Sequence, residues 1–479
     1  MNFQQENKTV KDFSWYFVGA IIPAIIGFIK SPIFTRHFTP IDYGYYSMAF
    51  ITFNYISIGL YSWLSNNIWR YYLHYTQSYK IKTFLTNIVF LYIFASAIVF
   101  ITTFAMIFFT KNPILQNLFL FAAIQIVFAQ GNAMILIIYR IKGKAFAYNF
   151  INTIKTICSF GLLLLMTFIF KFGIEALFIS LIALDVLLLI YFTLVHFDIL
   201  SLGLDFKQIQ KLELNRFFKF GFASLTLNFF LIVIDSNDRY IIAMFNTMSE
   251  VGIYNQLFNL GQITIIALIA IYQNSINPEL MFQLENNIFN YSKTSSKFVL
   301  NYVIILLPIT VLLSIFSKEF AYIFLGEKFR SGWNLLPWIF FAKFLTGLFI
   351  FSELKYKFQN KMTFLVFIFL SATIVSISLN FIFVPIYGYR AAVYSNFLSY
   401  FILTILLLRK DIYHYFSKKQ LIILIPFIIS LLFFWLIIVF LKVHLQRDLM
   451  LIEIIELNVC YVIFYSFLLL KYFKRHYQT

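Results

Sequence analysis

The sequence predicts an all-α polytopic membrane protein, and three observations predict it. Fourteen apolar stretches follow one another with short connections, each long enough to cross a bilayer. The chain is 61% hydrophobic and 12% charged, with mean hydropathy +0.83, far from the mixture of a soluble domain. Lys and Arg gather in alternate connections. A helix needs about 20 apolar residues to span hydrocarbon. A barrel strand would be about half as long and would alternate, which these continuous runs do not. In lipid the backbone must satisfy its own hydrogen bonds, so such runs are helices.

The stretches cover residues 13–35, 45–66, 84–109, 114–138, 148–170, 174–195, 217–245, 251–277, 297–317, 333–352, 363–386, 388–408, 421–441 and 449–471. The polar segment 1–12 carries no signal-peptide cleavage pattern, so the first span is expected to be retained. Pro23 and Pro32 interrupt that span and are expected to loosen it. The seventh is broken by Asp235-Ser236-Asn237-Asp238-Arg239. The longest connections, about 196–216, 278–296 and 318–332, are too short for an enzyme domain. The segment from Gly326 to Gly332 reads as a plain turn. Cys158 and Cys460 fall inside spans and read as small buried hydrophobes, with no disulfide or metal site implied. Aromatics reach 21%, but Ile, Asn and Lys are abundant too, so this richness reads as compositional bias rather than function.

Orientation follows from the basic residues. Of 37 Lys and Arg, one set of connections holds only Arg36, Lys111, Lys171, Lys318, Lys328, Arg330, Arg390, Lys442 and Arg447. Lys30, Lys155, Arg239 and Lys343 lie within spans. The rest, from Lys8 and Lys11 through Arg70, Arg140 and Lys207 to Arg475, fall in the alternate set. Both termini are therefore expected in the cytoplasm, and the net charge of +17 is mostly a topology signal. Basic residues scattered over many short loops argue against nucleic acid as a partner.

A six-helix unit is expected to occur twice. Asp42-Tyr43-Gly44-Tyr45-Tyr46 follows the first span and Glu250-Val251-Gly252-Ile253-Tyr254 the seventh; both read acid-x-Gly-x-Tyr. Gly173-Ile174-Glu175-Ala176 precedes the sixth span and Gly388-Tyr389-Arg390-Ala391 the twelfth, at nearly the same offset. Parallel repeats of this type relate two bundles by an axis along the membrane normal.

The stretches Gly27-Phe28-Ile29-Lys30-Ser31-Pro32-Ile33-Phe34-Thr35-Arg36 and Phe38-Thr39-Pro40-Ile41-Asp42-Tyr43-Gly44-Tyr45-Tyr46-Ser47 resemble the opening of the polysaccharide-biosynthesis flippases. So do Asp238-Arg239-Tyr240-Ile241-Ile242, Val251-Gly252-Ile253-Tyr254-Asn255 and the later Pro278. These are the lipid-linked oligosaccharide (Wzx-type, O-antigen-type) flippases of the MATE-like MOP superfamily. The resemblance implies about 14 transmembrane helices: two six-helix lobes in a V, residues 1–200 and 207–410, and two additional helices over 418–479. It also implies alternating access and an undecaprenyl-diphosphate-linked oligosaccharide moved from the cytoplasmic to the periplasmic leaflet of the inner membrane. Other polysaccharide-assembly proteins are implied as partners.

Charges inside spans are the candidate site residues, because each costs at least ~3 kcal/mol at mid-membrane. Asp235 and Arg239 are four apart, so they share a helix face. The polar run is expected to face the space between lobes. There Arg239 would contact the diphosphate, or pair with Asp235. Lys30 would supply a second cation from the other lobe, or snorkel toward an interface. Arg70 and Arg140, at span ends, would receive the headgroup or merely set topology. Lys343 has no acid in its own span and ranks below Lys30. Asp185 stands alone in its span; it would bind a coupling proton or sodium, or pair with Lys155 or Lys30. Asp238 is grouped with Asp235 as ion-coupling or charge-pairing. None of the six His stands at a metal-ligand spacing, no phosphate-cradling loop implies ATP, and no nucleophile elbow occurs, so no cofactor and no enzyme chemistry is expected. A MATE-type ion-coupled exporter is the alternative, but it would want an acidic cavity. A membrane polysaccharide polymerase would want a large periplasmic loop.

Overall fold

The computed structural model describes residues 3–78, 80–195, 211–286, 288–359, 361–409, 411–445 and 451–477. His196, Lys207, Arg447 and the expected boundary between residues 200 and 207 lie outside them, as do the side chains of Lys8 and Lys11. Among the described residues every regular element is helical. The helices are α1 (Phe3–His37), α2 (Pro40–Ser57), α3 (Trp63–Gln77), α4 (Ile81–Phe109), α5 (Pro113–Ile141), α6 (Ala145–Leu164) and α7 (Ala176–Val195). Then follow α8 (Lys211–Phe245), α9 (Met248–Gly261), α10 (Ala267–Asn286), α11 (Ile288–Ile315), α12 (Ser317–Phe324), α13 (Leu336–Phe358), α14 (Met362–Tyr387), α15 (Tyr389–Leu408), α16 (Ile412–Tyr415), α17 (Lys418–Leu445) and α18 (Leu451–Tyr477).

Where they are described, the expected apolar stretches lie mainly on helical segments. Ten helical runs among the described residues are long and apolar enough to cross a membrane by themselves. The protein is a multi-pass membrane protein. α2 runs into α3, and α9 into α10, through π-helical turns at Ile58–Ser62 and Gln262–Ile266. α1 continues through both Pro23 and Pro32.

The acid-x-Gly-x-Tyr repeat has a structural meaning. Its acids cap helices. Asp42 Oδ2 accepts from the Thr39 backbone N (2.9 Å) and hydroxyl (2.7 Å), and the Asp42 N–H returns to Thr39 Oγ1 (3.3 Å). This reciprocal cap, with Pro40 in the first turn, starts α2. α9 starts at Thr247, whose hydroxyl accepts the Glu250 N–H at 3.3 Å, while the Glu250 carboxylate accepts the Tyr389 N–H (3.3 Å) at the start of α15. The glycines let the two helix starts cross. A Cβ on Gly44 would lie 2.0 Å from the Met248 carbonyl oxygen, and one on Gly252 only 1.8 Å from that of Pro40. Each glycine faces the carbonyl four residues before the other, so the contact is reciprocal.

In the first half, α5 packs on α2, α3, α4 and α7, and α1 on α6; in the second, α14 packs on α8 and α15, and α13 on α11 and α15. The halves meet through α2–α9, α3–α8, α1–α10 and α1–α12. The α3–α8 contact lies at the opposite end from the glycine crossing. Asn67 Nδ2 donates to the Phe217 carbonyl at 3.0 Å, and a Cβ on Gly221 would sit 2.6 Å from that of Trp63. The last two helices lean on α11: Tyr465 donates to the Ile304 carbonyl (2.6 Å) and Tyr472 to Asn301 Oδ1 (3.1 Å).

Three sequence expectations change, the first being the connection at about 278–296, which is helical within α10 and α11. The Gly326–Gly332 segment is not a plain turn. It opens a 3-10 helix, Glu327–Leu335, docked on α1: the Gly326 N–H donates to Thr35 Oγ1 (2.8 Å), while Ser31 and Arg36 donate to the Phe324 (3.0 Å) and Ile323 (3.2 Å) carbonyls. The end of α12 leaves carbonyls unbonded, and α1 supplies the donors. Cys158 and Cys460 are not buried; both are exposed, on α6 and α18.

Candidate functional site

α1, α2, α8 and α9 enclose a polar cavity of about 640 Å³. Lys30 reaches it from α1 and Tyr46 from α2; Asp235, Ser236 and Arg239 reach it from α8. Lys30 has no hydrogen-bond or ion partner among the described residues. It therefore borders the cavity rather than snorkelling toward Arg36. The structure thus brings together the Lys30 and Arg239 that the sequence singled out in separate halves.

Arg239 is 4% exposed and held through Nε and Nη1. Nη1 donates to the Asp235 carbonyl (2.5 Å) and to Asp238 Oδ1 (3.1 Å), and Nε to Asn255 Oδ1 (3.2 Å). Its guanidinium lies 4.3 Å from the Phe258 ring centre and 5.0 Å from that of Tyr254. Asp238 is fully buried and also accepts the Tyr254 hydroxyl. The expected Asp235–Arg239 side-chain pair does not form. The Asp235 carboxylate turns instead to Lys343 Nζ (2.7 Å) and the Tyr400 hydroxyl, leaving only its backbone carbonyl for Arg239. Lys343, expected without an acid, is neutralised by Asp235, buried to 1% exposure, and set 3.8 Å from the Phe258 ring centre. It does not line the cavity; the Asp235 side chain, 32% exposed, does.

The polar run of α8 does not face one side. Successive helix residues step by about 100°, so five in a row go right round. Asn237 points away toward α14, donating to Ser376 Oγ (3.0 Å) and accepting from Asn380 Nδ2 (2.9 Å). Among the described residues that line the cavity, two cations (Lys30, Arg239) stand against one carboxylate (Asp235), a surplus of one positive charge.

A search for intramembrane charges passes over the amides. Asn54, Asn228, Asn255, Gln256, Asn259 and Gln262 all line the cavity. Asn255, Asn259 and Gln262 recur at the spacing of one helix face, which was visible in the sequence of the eighth span.

Arg70 and Arg140 do not reach the cavity. Arg70 is exposed in the middle of α3, which runs on to Gln77 rather than ending at Arg70. Arg140 is exposed at the end of α5, with its guanidinium 5.1 Å from the ring centres of both Trp69 and Tyr148. Asp185 also lies apart, fully buried between α5, α6 and α7. Of the two cations offered for it, Lys155 is the partner, at 2.5 Å, and Asn132 Nδ2 adds a bond at 2.9 Å.

Residues 33–333 match a family model described as polysaccharide biosynthesis protein. No curated protein matches in sequence. Among solved structures, the fold is similar to that of the lipid II flippase MurJ in an inward closed conformation. There the TM-score is 0.71 and the identity 14%, over 97% of this chain and 99% of that one. It is also similar to the Vibrio cholerae MATE transporter VcmN (TM-score 0.57, 12% identity, 86% of this chain and 100% of that one). A third likeness is to the eukaryotic MATE transporter AtDTX14 (0.55, 14%, 86% and 97%). At these identities the likeness is one of fold.

Proposed function

This chain belongs to the polysaccharide biosynthesis protein family, and from that premise we propose that it is a flippase for undecaprenyl-diphosphate-linked oligosaccharide. It carries a repeat unit of O-antigen, capsule or exopolysaccharide from the cytoplasmic to the periplasmic leaflet. The observation that carries the reading is the convergence of Lys30 and Arg239 on one cavity between the halves. A diphosphate loses its hydration on entering the membrane, and fixed cations offset that loss far better in low dielectric than in water. Lys30 is unpaired among the described residues and borders the cavity. Arg239 is held in place by Asp238 and Asn255, so little conformational freedom is lost when it binds. The amide row supplies donors and acceptors for sugar hydroxyls.

Two of the inter-half contacts support alternating access. With both termini cytoplasmic, the α2–α9 crossing and the docked 3-10 helix seal the periplasmic side, and α3–α8 the cytoplasmic side. Each opens in turn as two lobes, 1–200 and 207–410, rock about the cavity; residues 418–479 add two helices to a total of 14 spans in the inner membrane. Arg70 and Arg140 meet the headgroup at the cytoplasmic entrance. Asp235, Asp238 and Asp185 sit in pairs that a coupling proton or sodium ion would break. Other polysaccharide-assembly proteins supply and consume the substrate.

The exposed carboxylate of Asp235 favours a second reading, a MATE-type ion-coupled exporter of cations, against which the positive surplus weighs. Proteoliposomes holding only this protein decide between them, with and without an imposed ion gradient. Appearance of the oligosaccharide in the opposite leaflet supports the flippase. Its absence, with efflux of small cations from the same vesicles, supports the exporter.

A further inference from the structure

A second cavity, about 280 Å³, lies within the first half between α3, α4, α5 and α7, and shares no lining residue with the polar one. Its walls are aliphatic, from Ile68, Leu85, Val89, Ile135 and Leu189 among others. Two of the hydroxyls that line it are already committed. The Tyr92 hydroxyl donates to the Val127 carbonyl (2.8 Å) and that of Thr193 to the Ile190 carbonyl (2.7 Å). Whatever enters is therefore hydrocarbon along its inserted length.

The mouth has the opposite character. α5 ends in the turn Lys142-Gly143-Lys144, where Gly143 takes a φ of +67° that other residues rarely adopt. Lys142 Nζ stands 5.8 Å from the Tyr72 ring centre and Lys144 Nζ 5.6 Å from that of Tyr139. Both lysines line the cavity, both are exposed, and neither is ion-paired among the described residues. Trp69 (44% exposed) and Phe146 (47%) flank the turn. Exposed aromatics beside lysines mark the depth of lipid headgroups.

We propose that this cleft binds an anionic phospholipid, with one acyl chain between α4, α5 and α7 and the phosphate on Lys142 and Lys144. Apolar walls capped by unpaired cations at headgroup depth match that amphiphile. The cleft has no row of amides to hold sugars, which separates it from the polar cavity.

The test uses the whole protein in phosphatidylcholine nanodiscs doped with phosphatidylglycerol carrying a diazirine on its acyl chain. Photolabelling is expected on the cleft residues of α4, α5 and α7, and a phosphatidylcholine probe with the same chain should label them about tenfold less. Lys142→Ala with Lys144→Ala should lower the anionic probe to the level of the zwitterionic one, given the attraction of each lysine for an anionic headgroup. Ile135→Trp, which fills the cleft from a partly exposed position, should abolish labelling there while leaving the outer faces labelled. Equal labelling by both probes, or labelling indifferent to the lysine and Trp variants, overturns the proposal. So does a polyprenyl diphosphate probe that displaces phosphatidylglycerol from the same residues.

Discussion

Gly252→Ala tests whether the α2–α9 crossing controls access to the polar cavity. The added Cβ would lie 1.8 Å from the Pro40 carbonyl oxygen and 2.9 Å from the Gly44 nitrogen. Ordinary contact begins at 3.4 Å, so the helices must part by about 1.6 Å or bend. Both neighbours are backbone atoms inside helices, and neither can swing aside. Overpacking of this kind costs about 1–3 kcal/mol, which corresponds to roughly a 5- to 150-fold shift away from the crossed arrangement. The assay replaces Cys158 and Cys460 with Ala, introduces Asn54→Cys in the cavity, and measures its labelling by an impermeant maleimide added from the Arg36 side. The labelling rate is expected to rise by that factor at unchanged abundance. Gly44→Ala should act alike, because its Cβ would meet the Met248 carbonyl at 2.0 Å. The double variant should add little, since helices already parted have no clash left to relieve. Gly161→Ala, with nothing within 4 Å, is the control. A labelling rate unmoved by Gly252→Ala in intact protein would refute the reasoning.

Lys30→Ala should reduce oligosaccharide translocation at least tenfold with normal membrane abundance; normal transport would show the residue to be structural. Arg239→Ala should lower abundance as well, because it strands the buried Asp238, at a cost of about 3–5 kcal/mol. Adding Asp238→Asn should restore abundance but not transport, as immunoblots and flux from the same vesicles would show. Lys343→Met should cost a similar amount in thermal unfolding in detergent, and Asp235→Asn should recover much of it; strictly additive losses would mean the pair is not coupled. Lys155→Met should destabilise more than Lys155→Met combined with Asp185→Asn, measured in the same way, and the reverse order would exclude the ion pair as the source.

The helical plan was legible because each span is apolar over its own length, a property that needs no partner. The repeat was legible as a pattern but not as a purpose. Nothing in acid-x-Gly-x-Tyr says that the acids cap and the glycines let two helices touch, since that depends on Pro40 and Met248 meeting the opposite glycines. The charge pairing of α8 is not legible in its own sequence for a related reason. Spacing places Asp235 and Arg239 on one face, but a carboxylate goes to the donor that removes most of its desolvation cost, and Lys343 arrives from α13, far along the chain. Lys155 could be offered to Asp185 because it lies only one helix away. The amides of α9 were within reach of the sequence, had helical spacing been applied to uncharged polar residues as well as to ions.

The wide turns at Ile58–Ser62 and Gln262–Ile266 occupy corresponding places in the two halves, and Ile58, Gln262 and Ile263 border the polar cavity. Such a turn holds one residue more than the helix on either side needs. The surplus can migrate along the rod by exchanging one hydrogen bond at a time, and each step turns the residue it passes by about 100° while the helix beyond keeps its place. Ile58, Gln262 and Ile263 lie where such a step acts. The cavity wall can thereby present a new set of side chains to a passing ligand while the crossing at Gly44 and Gly252 stays shut.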